Sequence, residues 1–381
     1  MRFVLYGSFL IIGITAAMIG PLVPLLRADL DLSYGVAGLL FSAQAIGSLC
    51  ILVVGGWLVH RLGTRRVVAM GLAVFGAGLL ATALAGNYVL VLVANLLIGA
   101  GMSFLDIGIS TVCIDANPTG KGKALNLLHF FFGAGAVFGP LVALSLGTID
   151  GGWRWAFGLC ALGPALIACV LLRTRFPPPA PATPAERFAV YRKPLLWLGG
   201  LALCIYCGVE WGIGAWFPSY WKEIPGTSGL NPAWATSLFW LTFSIGRFVQ
   251  GGKADRWGFR PFLSLGTGLT LVVLVLWILF PNPVAAIAWV LCFGFLIAGM
   301  YPTIVALVSQ RFPASSGQLA PILSIFASIG SLIWPPAIGA IADKAGMAVL
   351  PWTQLGLTIL MAFGLALTFL ADRREALRQK P

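Results

Sequence analysis

The chain alternates long apolar runs with short polar breaks. An apolar stretch of about 20 residues is long enough to cross a bilayer as a helix. Runs of that kind cover residues 4–26, 34–59, 66–87, 89–114, 122–147, 153–173, 195–220, 232–252, 260–280, 284–309, 316–341 and 348–371. The pattern predicts an all-α integral membrane protein of twelve transmembrane helices. The longest interruption, residues 174–193, is rich in proline, which blocks regular helix and favours extended chain. It follows the sixth run, so the expected organisation is an N-terminal six-helix bundle (1–173), a cytoplasmic linker (174–193) and a C-terminal six-helix bundle (194–381).

Composition supports lipid as the main solvent. Hydrophobic residues make up 59% of the 381 and charged residues only 9%, whereas a soluble domain keeps roughly a quarter of its residues charged. The formal net charge of +12 raises nucleic acid as a partner. The basic residues instead sit in short clusters between apolar runs, so the charge bears on orientation and no nucleic-acid partner is expected. If the N-terminus is cytoplasmic, nineteen Lys and Arg fall on the inner side, and only Arg27, Arg154, Lys222 and Lys344 fall outside. That bias predicts a multi-pass protein of the cell (inner) membrane with both termini cytoplasmic. The first run is too long for a signal-peptide core and is read as the first spanning helix. The seven cysteines lie in or at the ends of apolar runs and read as small buried hydrophobes. Cys204 and Cys207 have no second pair, so no metal site is expected.

The two halves echo one another. Gly56, His60, Arg61, Gly63 and Arg65 follow the second run, and Gly251, Asp255, Arg256, Gly258 and Arg260 follow the eighth. Both fit Gly-x3-(His/Asp)-Arg-x-Gly-x-Arg. Internal repeats of this kind mark several transporter folds, whose substrate sites lie at the midplane between the repeats. The loop pattern resembles the hallmark motif of the major facilitator superfamily. The resemblance covers essentially the whole chain and implies two pseudo-symmetric six-helix bundles that rock about a central cavity, usually as a monomer. The family motif carries Asp where this chain has His60, which puts the carboxylate latch of the first half in doubt; the second copy keeps Asp255.

Ionisable groups within the runs are few, and each is a functional candidate because a charge in hydrocarbon is costly. They are Asp106, His129, Glu210 and Arg247. Asn95, Asp106 and Ser110 share one helix face. A carboxyl group in low dielectric can gain and lose a proton near neutral pH, as a proton-coupled carrier needs; the alternative is an interhelical hydrogen bond. Tyr206 and Glu210 share one side of a helix that also carries Trp211, several glycines and Pro218. An acid among aromatics suits a polyol, and interhelical packing is the alternative. Arg247 follows Trp240 and Ser244 on one face. It is expected either to pair with Glu210, since an unpaired buried charge is expensive, or to reach the membrane surface. Asn126 and His129 share a face of the fifth helix. Gln44, Ser324, Ser328 and Ser331 are weaker candidates. Trp211, Trp216 and Trp240 lie deep enough for one to stack on a substrate.

Phe104-Leu-Asp106, with Asn126, His129, Gly133, Gly135 and Gly139-Pro140 downstream, resembles the fucose permease-like branch of fucose–galactose–glucose:proton symporters. That resemblance implies proton coupling at Asp106 and a cavity lined by Asn126, His129 and Glu210. The branch also has an acid in helix one, absent from Met18-Ile-Gly20-Pro21 here. Coupling therefore uses Asp106 alone, uses Glu210 as the second acid, or is missing. No phosphate-binding loop or catalytic motif is present, so neither an enzyme nor a cofactor is expected. The sequence points to a secondary transporter that moves a small polar solute, a sugar by resemblance, with protons. An exporter of amphipathic or drug-like compounds and a transport-dead sensor on the same scaffold are the alternatives.

Overall fold

The computed structural model describes residues 1–117, 121–176, 189–224, 226, 231–312 and 316–378. Among them there is no β-strand. The N-terminal bundle consists of α1 (Arg2–Leu30), α2 (Tyr34–Leu62), α3 (Thr64–Ala83), α4 (Tyr88–Asp115), α5 (Lys121–Leu146) and α6 (Gly152–Leu172). The C-terminal bundle consists of α7 (Pro194–Glu223), α8 (Pro232–Gln250), the short α9 (Lys253–Trp257), α10 (Phe259–Leu279), α11 (Pro283–Ile297), α12 (Met300–Ser309), α13 (Ser316–Ala345) and α14 (Leu350–Arg378). Eleven spans are long and apolar enough to cross a membrane, counting α11 with α12 as one. The twelfth crossing is α8, whose 19 residues carry Thr236, Ser237, Thr242, Ser244, Arg247 and Gln250 and so dilute its hydropathy. Most of the linker expected at 174–193 lies outside the described residues; Ala189–Arg192 form one 3-10 turn before α7.

An even number of crossings puts both ends of the chain on one face, called the terminal face below. The repeat is visible in the backbone there. Gly63 has φ 79° and ψ 151°, and Gly258 has φ 87° and ψ 144°. Only glycine adopts that conformation readily, so the second motif glycine is required in both halves for the same reason. The two motif arginines also act alike. Arg65 donates to Leu171 O (3.2 Å) and Leu172 O (2.9 Å) at the end of α6. Arg260 donates its Nε to Asp372 of α14 at 2.9 Å, and Arg311 pairs with the same carboxylate. Each arginine thus ties the start of its third crossing to the last helix of its own bundle.

The bundles meet along α1/α7, α2/α13 and α5/α8. Small residues let the backbones close. A Cβ on Gly20 of α1 would lie 2.0 Å from Gly214 O of α7, and one on Gly38 of α2 would lie 2.5 Å from Pro336 Cα of α13. Pro336 lacks an N–H, so Leu332 O loses its helical donor; Ser42 of the other bundle supplies a hydroxyl at 2.6 Å instead. At the far face the seam is polar. Asp343, near the end of α13, accepts from Tyr34 N (2.6 Å) and Gly35 N (2.8 Å), the first N–H groups of α2. A carboxylate there caps the helix and complements its dipole, and it comes from the opposite bundle. The Tyr34 hydroxyl donates to Glu223 of α7, Glu223 accepts from Met347 N at 2.6 Å, and the Arg27 guanidinium lies 3.3 Å above the Tyr34 ring.

The terminal face has no comparable seam among the described residues. His60, Arg61, Asp255 and Arg256 are exposed, and a Cβ on Gly56, Gly63 or Gly252 would meet nothing within 4 Å. The molecule is shut at the far face and open at the terminal face. Removing the cross-bundle cap tests this seam. Asp343→Ala orphans two N–H groups at a cost of about 1–2 kcal/mol. In a background without the native cysteines, a cysteine placed at the fully buried Ala37 reacts faster with an impermeant maleimide once Asp343 is Ala. An unchanged labelling rate would show that the seam holds without the cap.

Candidate functional site

Helix geometry brings polar groups from both bundles to one level. At 1.5 Å per residue, Asp106, His129, Glu210, Arg247 and Tyr301 lie about 20–27 Å from the far-face ends of their helices. They come from α4, α5, α7, α8 and α12 respectively. Asp106 is exposed although it is mid-helix, and it accepts from Ser110 Oγ at 3.4 Å. A carboxyl group exposed to hydrocarbon is costly, so it faces an opening between helices and not lipid. Asp106 therefore borders the cleft that opens to the terminal face. His129 and Asn126 are exposed in the same cleft, with the imidazole edge-on to Phe9 at 5.6 Å.

The α5/α8 crossing explains how His129 meets the other bundle. The two helices run antiparallel and touch where a Cβ on Gly133 would lie 2.6 Å from Ser244 Oγ. One turn nearer the terminal face, α5 carries His129 and α8 carries Arg247. The Arg247 charge acts on His129, and its guanidinium packs 4.5 Å above the Phe243 ring. Arg247 Nη2 lies 3.9 Å from Glu210 Oε1, while its Nε is buried with no hydrogen-bond partner. The pair is loose. Glu210 itself is buried, at 6% exposure.

Around that pair stand aromatic groups. Tyr206, one turn before Glu210 on α7, is fully buried and donates its hydroxyl to Ile297 O at 3.1 Å. Tyr301 packs at 6.1 Å from Tyr206 and shares a hydrogen bond of 3.2 Å with Ser324 of α13. Tyr301 is half-buried at the level of the two acids. Trp211 is half-buried and 5.6 Å from Trp240. Ser328 is half-buried on α13.

Other candidates have structural partners. Asn95 is fully buried; it accepts from Gln44 Nε2 at 2.9 Å and donates to Val91 O at 2.8 Å. These two amides clamp α2 to α4. Trp216 donates to Pro335 O at 2.9 Å and packs against Tyr34, so it belongs to the seam. The motif residues Gly56, His60, Arg61, Gly63, Arg65, Asp255 and Arg256 lie at the terminal face, remote from the acids. No group of three metal-ligating side chains occurs among the described residues.

This arrangement, two bundles with an acid from each at one level and a repeated loop motif, matches a known family. The sequence model of the Major Facilitator Superfamily matches residues 5–320 and 201–381. The chain belongs to the major facilitator superfamily. Human sodium-dependent glucose transporter 1 is 25% identical over 93% of this major facilitator chain and 76% of its own. Inner membrane transport protein YdiM of Escherichia coli (strain K12) is 24% identical over 97% and 93%. Among solved structures, a bacterial homologue of the lysosomal transporter Spinster, inward-facing and occupied, superposes with TM-score 0.82 at 15% identity over 97% and 96% of the chains. The E. coli fucose:proton symporter FucP superposes with TM-score 0.67 at 20% identity over 98% of each. The likeness to these structures is one of fold.

Sequence reasoning missed Tyr301 and the far-face seam. Tyr301 follows Gly299, so its hint lay in the Gly-Met-Tyr-Pro stretch inside an apolar run. The seam residues Tyr34, Glu223 and Asp343 lie at run ends, where charged and aromatic residues are ordinary. The Glu210–Arg247 pair is testable by a thermodynamic cycle. Arg247→Ala leaves a buried carboxylate uncompensated, worth on the order of 3 kcal/mol. Adding Glu210→Gln recovers much of that loss. Melting temperatures of the two single variants and the double variant measure the coupling, and strict additivity would show that the pair does not interact.

Proposed function

We propose that this major facilitator transporter moves a small neutral polyol, a hexose in the first instance, in symport with protons. The observation that carries the reading is Asp106, a carboxyl group exposed at mid-helix, at the level of His129 and of Glu210 and Tyr301 of the other bundle. A carboxylate and the Tyr301 hydroxyl offer both acceptors and donors to a hydroxyl-rich ligand, and Trp211 offers a flat apolar face. Asp106 supplies a proton site in the other bundle, so solute and proton are held by opposite halves of one cleft. Alternating access then carries both across when the far-face seam opens and the terminal face closes.

The relative named as a sodium-dependent glucose transporter supports the hexose and raises sodium as the coupling ion. Protons are favoured because, among the described residues, Ser110 is the one hydroxyl bonded to Asp106, and a hard cation gathers several oxygen ligands. The polar lining also speaks against an exporter of amphipathic compounds. In proteoliposomes, uptake of labelled D-glucose is expected to follow an inward proton gradient and to be indifferent to a sodium gradient. Asp106→Asn abolishes gradient-driven accumulation while counterflow exchange continues. Accumulation by Asp106→Asn equal to wild type would remove Asp106 from coupling, and wild type that accumulates no hexose under either gradient would remove the sugar.

A further inference from the structure

The tenth crossing was expected as one helix over 284–309, and it is two. α11 ends at Ile297 and α12 begins at Met300. The sequence cause is Pro302, which has no N–H for Ala298 O and whose ring crowds that carbonyl. Gly299 adds flexibility at the same turn. A break at membrane depth exposes backbone groups that no water can satisfy, so protein must supply their partners.

Two side chains do so. In an unbroken helix Gly299 N would donate to Phe295 O. Here the Gln250 amide stands between them, donating from Nε2 to Phe295 O at 2.5 Å and accepting from Gly299 N at 3.0 Å. The fit is close: a Cβ on Gly299 would lie 2.5 Å from Gln250 Oε1 and 2.9 Å from Phe262 Cζ. Ile297 O, whose helical donor would be Tyr301 N, takes the Tyr206 hydroxyl at 3.1 Å. On the α12 side the helix resumes at once, with Thr303 N donating to Gly299 O at 3.2 Å.

The two partners differ in one respect. Gln250 is buried and both ends of its amide are committed to the break. Tyr206 has a single hydroxyl proton, and Glu210 stands one turn further along the same face of α7, where i and i+4 side chains meet, so its carboxylate competes for that proton. A ligand hydroxyl that donates to Glu210 satisfies that carboxylate and ends the competition. We propose that residues 297–299 form a hinge in the tenth crossing, pinned permanently by Gln250 and releasably by Tyr206, so that occupancy at Glu210 sets how firmly the hinge is held. Both are positioning residues: they act through the break that places Tyr301 in the cleft. The coupling to solute rests on the hexose reading, but the hinge itself does not.

Hydrogen exchange on the full-length protein in detergent tests it without any solute. Gln250→Met speeds exchange of amides 299–301 about tenfold, the loss of one net hydrogen bond. Tyr206→Phe gives a smaller rise, and Glu210→Leu, which removes the competitor for the Tyr206 proton, slows the same amides below wild type. A purely packing role for Glu210 would not slow them. Wild-type exchange at 299–301 in both Gln250→Met and Tyr206→Phe would overturn the hinge, and faster exchange in Glu210→Leu would overturn the competition. Saturating D-glucose slows these amides in wild type and has no effect in Tyr206→Phe. D-glucose that raises the melting temperature yet leaves wild-type exchange unaltered would overturn the link to the solute. Absence of any melting shift would instead count against the hexose reading, with the solute-free variants still deciding the hinge.

Discussion

A polar group inside hydrocarbon has no water to fall back on, so its partner must come from protein. That constraint shapes the whole molecule. It confines nearly all backbone to helices, and it turns every departure from helix into a contact between helices. Pro336 frees Leu332 O, and Ser42 of the other bundle answers it. Pro302 and Gly299 break the tenth crossing, and Gln250 and Tyr206 fill the break. The first N–H groups of α2 end at the far face, and Asp343 of the opposite bundle caps them. The same rule sorts the charges: Glu210 keeps Arg247 near, and Asp106 borders an opening and not lipid.

The contacts between bundles are unevenly placed, and that asymmetry carries the functional argument. At the far face, Arg27, Tyr34, Glu223 and Asp343 form a continuous charge-assisted seam. At the terminal face the motif loops stand exposed, and His60 occupies the place where the family carries an acid. Among the described residues, a carboxylate cap across the bundles exists on one face and not on the other. The free-energy difference between the two end states of a transport cycle is then biased toward closure at the far face. A few kcal/mol suffices for such a bias to dominate the population.

Much of this was legible in the chain. The twelve crossings, their ends to within a few residues, and the repeated motif follow from hydropathy, proline and glycine alone, because each run must span a bilayer of fixed thickness. The sparse buried charges announced themselves by cost. Arg247 had two expected fates, pairing or reaching the surface, and it lies beside Glu210. What the sequence concealed were contacts set by the relative placement of bundles. Asn95 shares a helical face with Asp106 in projection, yet it is buried against Gln44 of α2 while Asp106 is exposed. Tyr301 was hidden in an apolar run, since a break in a helix is visible only when the groups that fill it are known. The seam residues are separated by up to 309 positions, and no local pattern joins them.

The central claim is that the resting protein is shut at the far face and open at the terminal face, and that the two faces exchange roles. Paired spin labels measure this directly, one pair flanking the seam at Leu32 and Met347, the other on the motif loops at Thr64 and Phe259. Without solute, the seam pair is expected to give a single short distance and the loop pair a long one. Under acidic conditions with D-glucose, a second population with a long seam distance and a short loop distance is expected to grow. A loop pair that stays long while the seam pair opens, or two pairs that never change in opposition, would contradict the account.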